Sequence, residues 1–66
     1  MKKYKSLYDF LKEQDEPVVM MSFEDIEELI YGKLPKSAFA YRQWWANGGH
    51  IQADAWMNAG YLVKKV

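Results

Sequence analysis

Tyr41-Arg42-Gln43-Trp44-Trp45-Ala46-Asn47-Gly48-Gly49-His50-Ile51-Gln52-Ala53-Asp54-Ala55-Trp56 decides how the rest of this chain is read. The stretch holds all three tryptophans, the only arginine and the only histidine. Helical spacing up to about Ala46, a Gly48-Gly49 break and helical spacing from about Ile51 to Asn58 spell helix, tight turn, helix. Many small nucleic-acid readers share that outline, and so do many small cores. Trp44 and Trp45 are neighbours on a helix, so they point about 100° apart. One fills the core and the other lies at its edge; which is which stays open. Trp56 reads as core.

Upstream, Leu34-Pro35-Lys36-Ser37 is a turn that opens the third helix, with Pro35 near its start. Tyr4, Leu7, Tyr8 and Leu11 fall at i, i+3, i+4 and i+7, which predicts a first helix from Lys3 to Gln14 ahead of Pro17. Val18-Val19-Met20-Met21 reads as a short strand. Ser22 caps a second helix whose inner face is Phe23, Ile26, Leu29 and Ile30. Asp25 stands where a capping box prefers Glu or Gln, so an imperfect box is expected. Gly32 is expected to end that helix in a left-handed conformation. Downstream, Gly60 closes the fourth helix, and Tyr61–Val66 reads as a strand that pairs with residues 18–21, antiparallel. The expected fold is α+β: four short helices with a two-stranded ribbon, helix-turn-helix or winged-helix-like, in one domain spanning residues 1–66.

A chain of 66 residues buries a small share of its surface, and with no cysteine it has neither disulfide nor thiolate metal site to help. Its aromatic content of 17% is one compensation, because large rings carry much apolar area. Self-association as a homodimer would be another. No apolar run approaches the roughly 18 residues of a membrane span, and the N-terminal lysines precede no apolar leader, so a cytoplasmic protein is expected.

Residues 1–32 carry four lysines against eight acids, and residues 33–66 carry Lys33, Lys36, Arg42, Lys64 and Lys65 against Asp54 alone. The halves are therefore oppositely charged, −4 and +4, although the whole chain is neutral. A basic half can face phosphate. Catalysis is not expected, and no cofactor or metal is implied. A lone His50 has no second histidine or cysteine near it, and Ser22 and Ser37 have no nucleophile motif. Gly48-Gly49 follows no strand and so does not form a phosphate-cradling loop.

Two readings of the polar residues stay open. Arg42 either stacks on a neighbouring ring or meets phosphate or a guanine edge. Asn47 and His50 either cap the helices at the turn or, with Gln52, read bases from the start of a recognition helix. The first functional expectation is a small DNA-binding domain. Lys36, Ser37, Arg42, Lys64 and Lys65 would anchor phosphate, and Asn47, His50 and Gln52 would read bases. The alternative is a protein-binding inhibitor or adaptor, of the anti-defence kind phages carry. It would act through exposed tryptophan or the acidic second helix, Glu24, Glu27 and Glu28.

The run Leu34-Pro35-x-Ser37-Ala38, Tyr41-Arg42-x-Trp44-Trp45-Ala46-Asn47, His50-x-Gln52-Ala53-x-Ala55-Trp56 and Ala59-Gly60 resembles a widespread small domain of bacteria and phages whose function is unknown. The resemblance covers nearly the whole chain. Ser6 stands where that family often has proline, and the chain stops at Val66 where others continue into a further strand. Membership would imply no activity.

Overall fold

The computed structural model describes residues 2–66. Among them are four short α-helices, one 3-10 turn and no β-strand. The domain is all-α, which corrects the α+β, winged-helix-like expectation. The elements are α1 (Lys5–Lys12), α2 (Phe23–Ile30), α3 (Lys36–Ala40), the 3-10 turn Arg42–Trp45 and α4 (Ala53–Met57). Helix α1 packs against both α2 and α4.

The first two helices form for local reasons. In α1, Leu7 and Leu11 sit one turn apart and are buried, with Tyr4, Tyr8 and Phe10 packed beside them. It begins and ends two residues inside the expected boundaries. Helix α2 starts on a complete capping box. The Ser22 hydroxyl accepts from the Asp25 amide at 3.0 Å, and the Asp25 carboxylate accepts from the Ser22 amide at 2.9 Å. The shorter acid closes the box that was expected to be imperfect. Ile26 and Ile30 are its buried face.

The end of α2 differs from expectation. Tyr31, not Gly32, takes the left-handed conformation, at φ 55° and ψ 41°. The Gly32 amide then reaches back to the Glu27 carbonyl at 3.2 Å, closing the helix end. A tyrosine there bears the Cβ clash that glycine avoids. Gly60, at φ 93°, closes α4 in the expected way, and the next amide, Tyr61, reaches the Trp56 carbonyl at 2.9 Å.

The third helix was expected to run to Ala46, and it stops at Ala40. In a continuous helix the Ala38 carbonyl would accept from the amide four residues on, at Arg42. Here the indole N–H of Trp45 donates to it instead, at 2.8 Å. Both residues are buried, so a carbonyl left without this partner would be costly. The backbone turns out at Tyr41 (φ −127°, ψ 121°) and re-enters as the 3-10 turn. This settles the tryptophan pair: Trp45 is buried and Trp44 is half-buried. Trp45 stacks on Phe23 at 5.2 Å and on Trp56 at 6.0 Å, and meets Trp44 edge-on at 4.7 Å. Ala53 and Ala55 have no exposed surface, so α4 lies tight against this cluster.

Neither expected strand exists. Val18 and Met20 are exposed, and only Val19 and Met21 touch the core. In the C-terminal segment, Tyr61 and Val63 are half-buried while Leu62 and Lys64 are exposed, an alternation like that of a strand. The backbone polar groups of Val63, however, are bonded by the side chain of Asn47 rather than by another strand. The two apolar segments still come near each other. The Tyr61 hydroxyl donates to the Glu16 carbonyl at 2.6 Å, a side-chain tie in place of a ladder.

Two measurements test this account. Trp45→Phe keeps the ring but orphans the Ala38 carbonyl, so urea unfolding should show a loss of about 1–3 kcal/mol. Tyr31→Gly relieves the left-handed strain, offset by unfolded-chain entropy, and should raise stability by about 1 kcal/mol in the same assay.

Candidate functional site

Of the eight residues singled out around the turn and the C-terminus, two are used inside the fold. Gln52 is buried, and its Nε2 donates to the Trp44 carbonyl at 2.9 Å, satisfying the end of the 3-10 turn. Asn47 bonds three ways. Its Oδ1 accepts from the Trp56 indole N–H at 2.9 Å and from the Val63 amide at 2.8 Å. Its Nδ2 donates to the Val63 carbonyl at 3.0 Å. One side-chain amide thus orients the core tryptophan and pins the last segment. Asn47 does not cap α3, which ended seven residues earlier.

Lys36, Arg42, His50, Lys64 and Lys65 are exposed, and Ser37 is half-buried. The ion pairs among the described residues are Lys5–Asp9 and Lys33–Glu27, and none of these five groups takes part. At the start of α4, expected to present base-reading groups, His50 is exposed while Gln52 is turned into the fold. The helix has five residues, three of them buried, and Gln52 ahead of it is buried too.

What the structure exposes instead lies at the break after α3. Phe23, Phe39, Tyr41, Trp45 and Val66 line a groove with Ala38 and Ala40. Among the described residues, Arg42 is the only one with a charged side chain in that lining. Phe39 is 56% exposed and meets Phe23 edge-on at 5.1 Å, so its ring is braced from beneath while its outer surface stays open. Tyr41 is 62% exposed because the backbone leaves the helix there. Lys36 shares a face of α3 with Phe39 and Ala40, three and four residues on. Lys64 and Lys65 immediately precede Val66 of the lining.

Phe39 and Tyr41 were not among the expected site residues. Tyr41 fits the inward pattern of a continuous helix, and only the break reverses it. Phe39 carried a weak signal, as an aromatic one position off the buried stripe.

A second, shallow groove lies on the acidic side, lined by Glu24, Glu27, Glu28, Tyr31, Gly32 and Lys33. Glu27 is half-buried, and its carboxylate accepts from the Leu34 amide at 2.8 Å, so it tethers the turn after α2. Glu24 and Glu28 are exposed, and Tyr31 is 93% exposed. No helix among the described residues is long and apolar enough to cross a membrane.

Asn47→Ala should release the C-terminal segment and leave the buried indole of Trp56 without a partner. The expected results are fast amide exchange at Val63 and a loss of about 2 kcal/mol on unfolding. Retained protection at Val63 would show that other contacts hold the segment.

A family model described as a domain of unknown function matches residues 4–66. No curated protein and no solved structure matches the chain. The match takes in all four helices and the C-terminal segment, and the chain therefore belongs to the family Domain of unknown function (DUF7662).

Proposed function

We propose that this domain binds nucleic acid through the exposed cations of its C-terminal half. The observation that carries the reading is the free set Lys36, Arg42, Lys64 and Lys65. None is in an ion pair among the described residues, and Arg42 lines a groove with exposed rings. His50 adds a polar group on the turn. The mechanism is phosphate contact first, since cations facing a polyanion release its counterions. Asn47 and Gln52 have no part as base readers, because the fold uses their amides. One module of this size binds weakly, so two copies or a fused partner would raise affinity. The reading is of a cytoplasmic protein of the kind bacteria and phages carry. The Trp44-Trp45-Ala46-Asn47 and Gln52-Ala53-x-Ala55-Trp56 signature then marks its structural core rather than its ligand contacts.

A second reading has its own observation. Tyr31 is held in a strained conformation and almost fully exposed beside Glu24 and Glu28. An aromatic in that setting suits a basic protein partner, as an inhibitor or adaptor would have.

The readings separate by titration. On the nucleic-acid reading, labelled oligonucleotides are retained at about 50 mM salt, and affinity falls about 100-fold by about 200 mM if four phosphates are contacted. Lys64→Glu with Lys65→Glu should abolish retention, while Glu24→Lys with Glu28→Lys should not weaken it. Absence of any retained oligonucleotide at the lower salt refutes the proposal. A co-purifying protein lost only on the Glu24 and Glu28 changes supports the second reading.

A further inference from the structure

We infer that the groove after α3 takes a single strand rather than a duplex, with Phe39 and Tyr41 as stacking platforms and Arg42 as the cation of the same lining. The inference rests on the nucleic-acid reading and names the form of the ligand.

Duplex readers insert a helix or a two-stranded ribbon into a major groove about 12 Å wide. Among the described residues there is no ribbon, and α4 is five residues with three buried. A helix of that length spans only about 7.5 Å. The parts that read a duplex from its groove are absent from this basic half. The parts that hold unpaired bases are present. Every base has an apolar face, and exposed rings fixed from behind accept it without sequence preference. Phe39 is fixed by Phe23, which is itself stacked on Trp45. The rings thus form a column from the core to the surface that ends in an open face.

The charge around the groove points to the same ligand. Among the described residues, Arg42 is the only one with a charged side chain in the groove lining; Lys36 stands on the same face of α3 as Phe39, and Lys64 and Lys65 immediately precede Val66. The acids next to Phe23 are engaged elsewhere. Asp25 bonds the Ser22 amide, and Glu24 lines the acidic groove. The occupant should be a polyanion that also carries stackable rings. A short single strand has both properties. A duplex keeps its rings paired inside, and an acidic peptide has the charge without regular rings.

The test uses the full chain and fluorescence anisotropy at about 50 mM salt. The probes are a labelled oligothymidylate of about 12 nucleotides, a duplex of equal length and a glutamate-rich peptide of equal charge. The expected result is binding of the oligothymidylate at least about tenfold tighter than the duplex, with no competition from the peptide. Phe39→Ala and Tyr41→Ala should each weaken the single strand about tenfold, while Tyr41→Phe keeps it. Both side chains are more than half exposed, so the variants should fold, and circular dichroism checks that they do.

Equal affinity for duplex and single strand, or ring variants that bind as well as the parent, would overturn the inference while leaving phosphate binding intact. Competition by the peptide would overturn it in favour of an acidic protein segment. Loss of all oligonucleotide binding would remove the broader reading with it.

Discussion

The Trp45 indole donating to the Ala38 carbonyl is the interaction on which the rest of this domain depends. It replaces one backbone hydrogen bond with a bond from a side chain seven residues away. Helix α3 ends there because its next acceptor is taken. Tyr41 swings outward, and Trp45 enters the core flat against Phe23 and near-parallel to Trp56. The carbonyl of Trp44, left at the end of the 3-10 turn, is met by Gln52, which draws the start of α4 inward. A small core is built here from rings held by directed bonds, with Ala53 and Ala55 allowing close approach. Such packing suits a chain too short to bury many aliphatic side chains.

Asn47 does for the C-terminal segment what a neighbouring strand would otherwise do. Its amide offers one donor and one acceptor in a plane, the same pair a peptide group offers, and Val63 bonds both. The shared Oδ1 also fixes the Trp56 indole. With the Tyr61 hydroxyl bonded to the Glu16 carbonyl and Tyr61 and Val63 packed on the core, the segment is docked without a sheet. It carries Lys64 and Lys65 just ahead of Val66, which lines the groove at the break after α3.

The polar and aromatic groups of the Tyr41–Trp56 stretch exchange the roles their residue types suggest. Asn47 and Gln52, which look like readers, are structural. Tyr41, which looks like core, is open to solvent, as is Phe39 just upstream. Arg42 and His50 remain exposed with the lysines. The acidic face of α2 was readable as a charged, exposed surface, except that Glu27 is committed to the Leu34 amide. The aromatic groove was not readable, because its existence depends on where α3 stops.

The sequence by itself determined α1 and α2, the capped start at Ser22, the closing glycine at Gly60, the burial of Leu7, Leu11, Ile26, Ile30 and Trp56, and the split of charge between the halves. These follow from short-range periodicity, from caps within three residues and from counting. Tertiary structure alone decided the end of α3, the choice of Trp45 over Trp44, the tyrosine at the left-handed end of α2 and the absence of both strands. Each of the α3, tryptophan and C-terminal outcomes turns on a side chain satisfying a backbone group seven or more residues away. Local propensity cannot anticipate such a bond, because the competing backbone partner is equally good until the core brings the side chain to it.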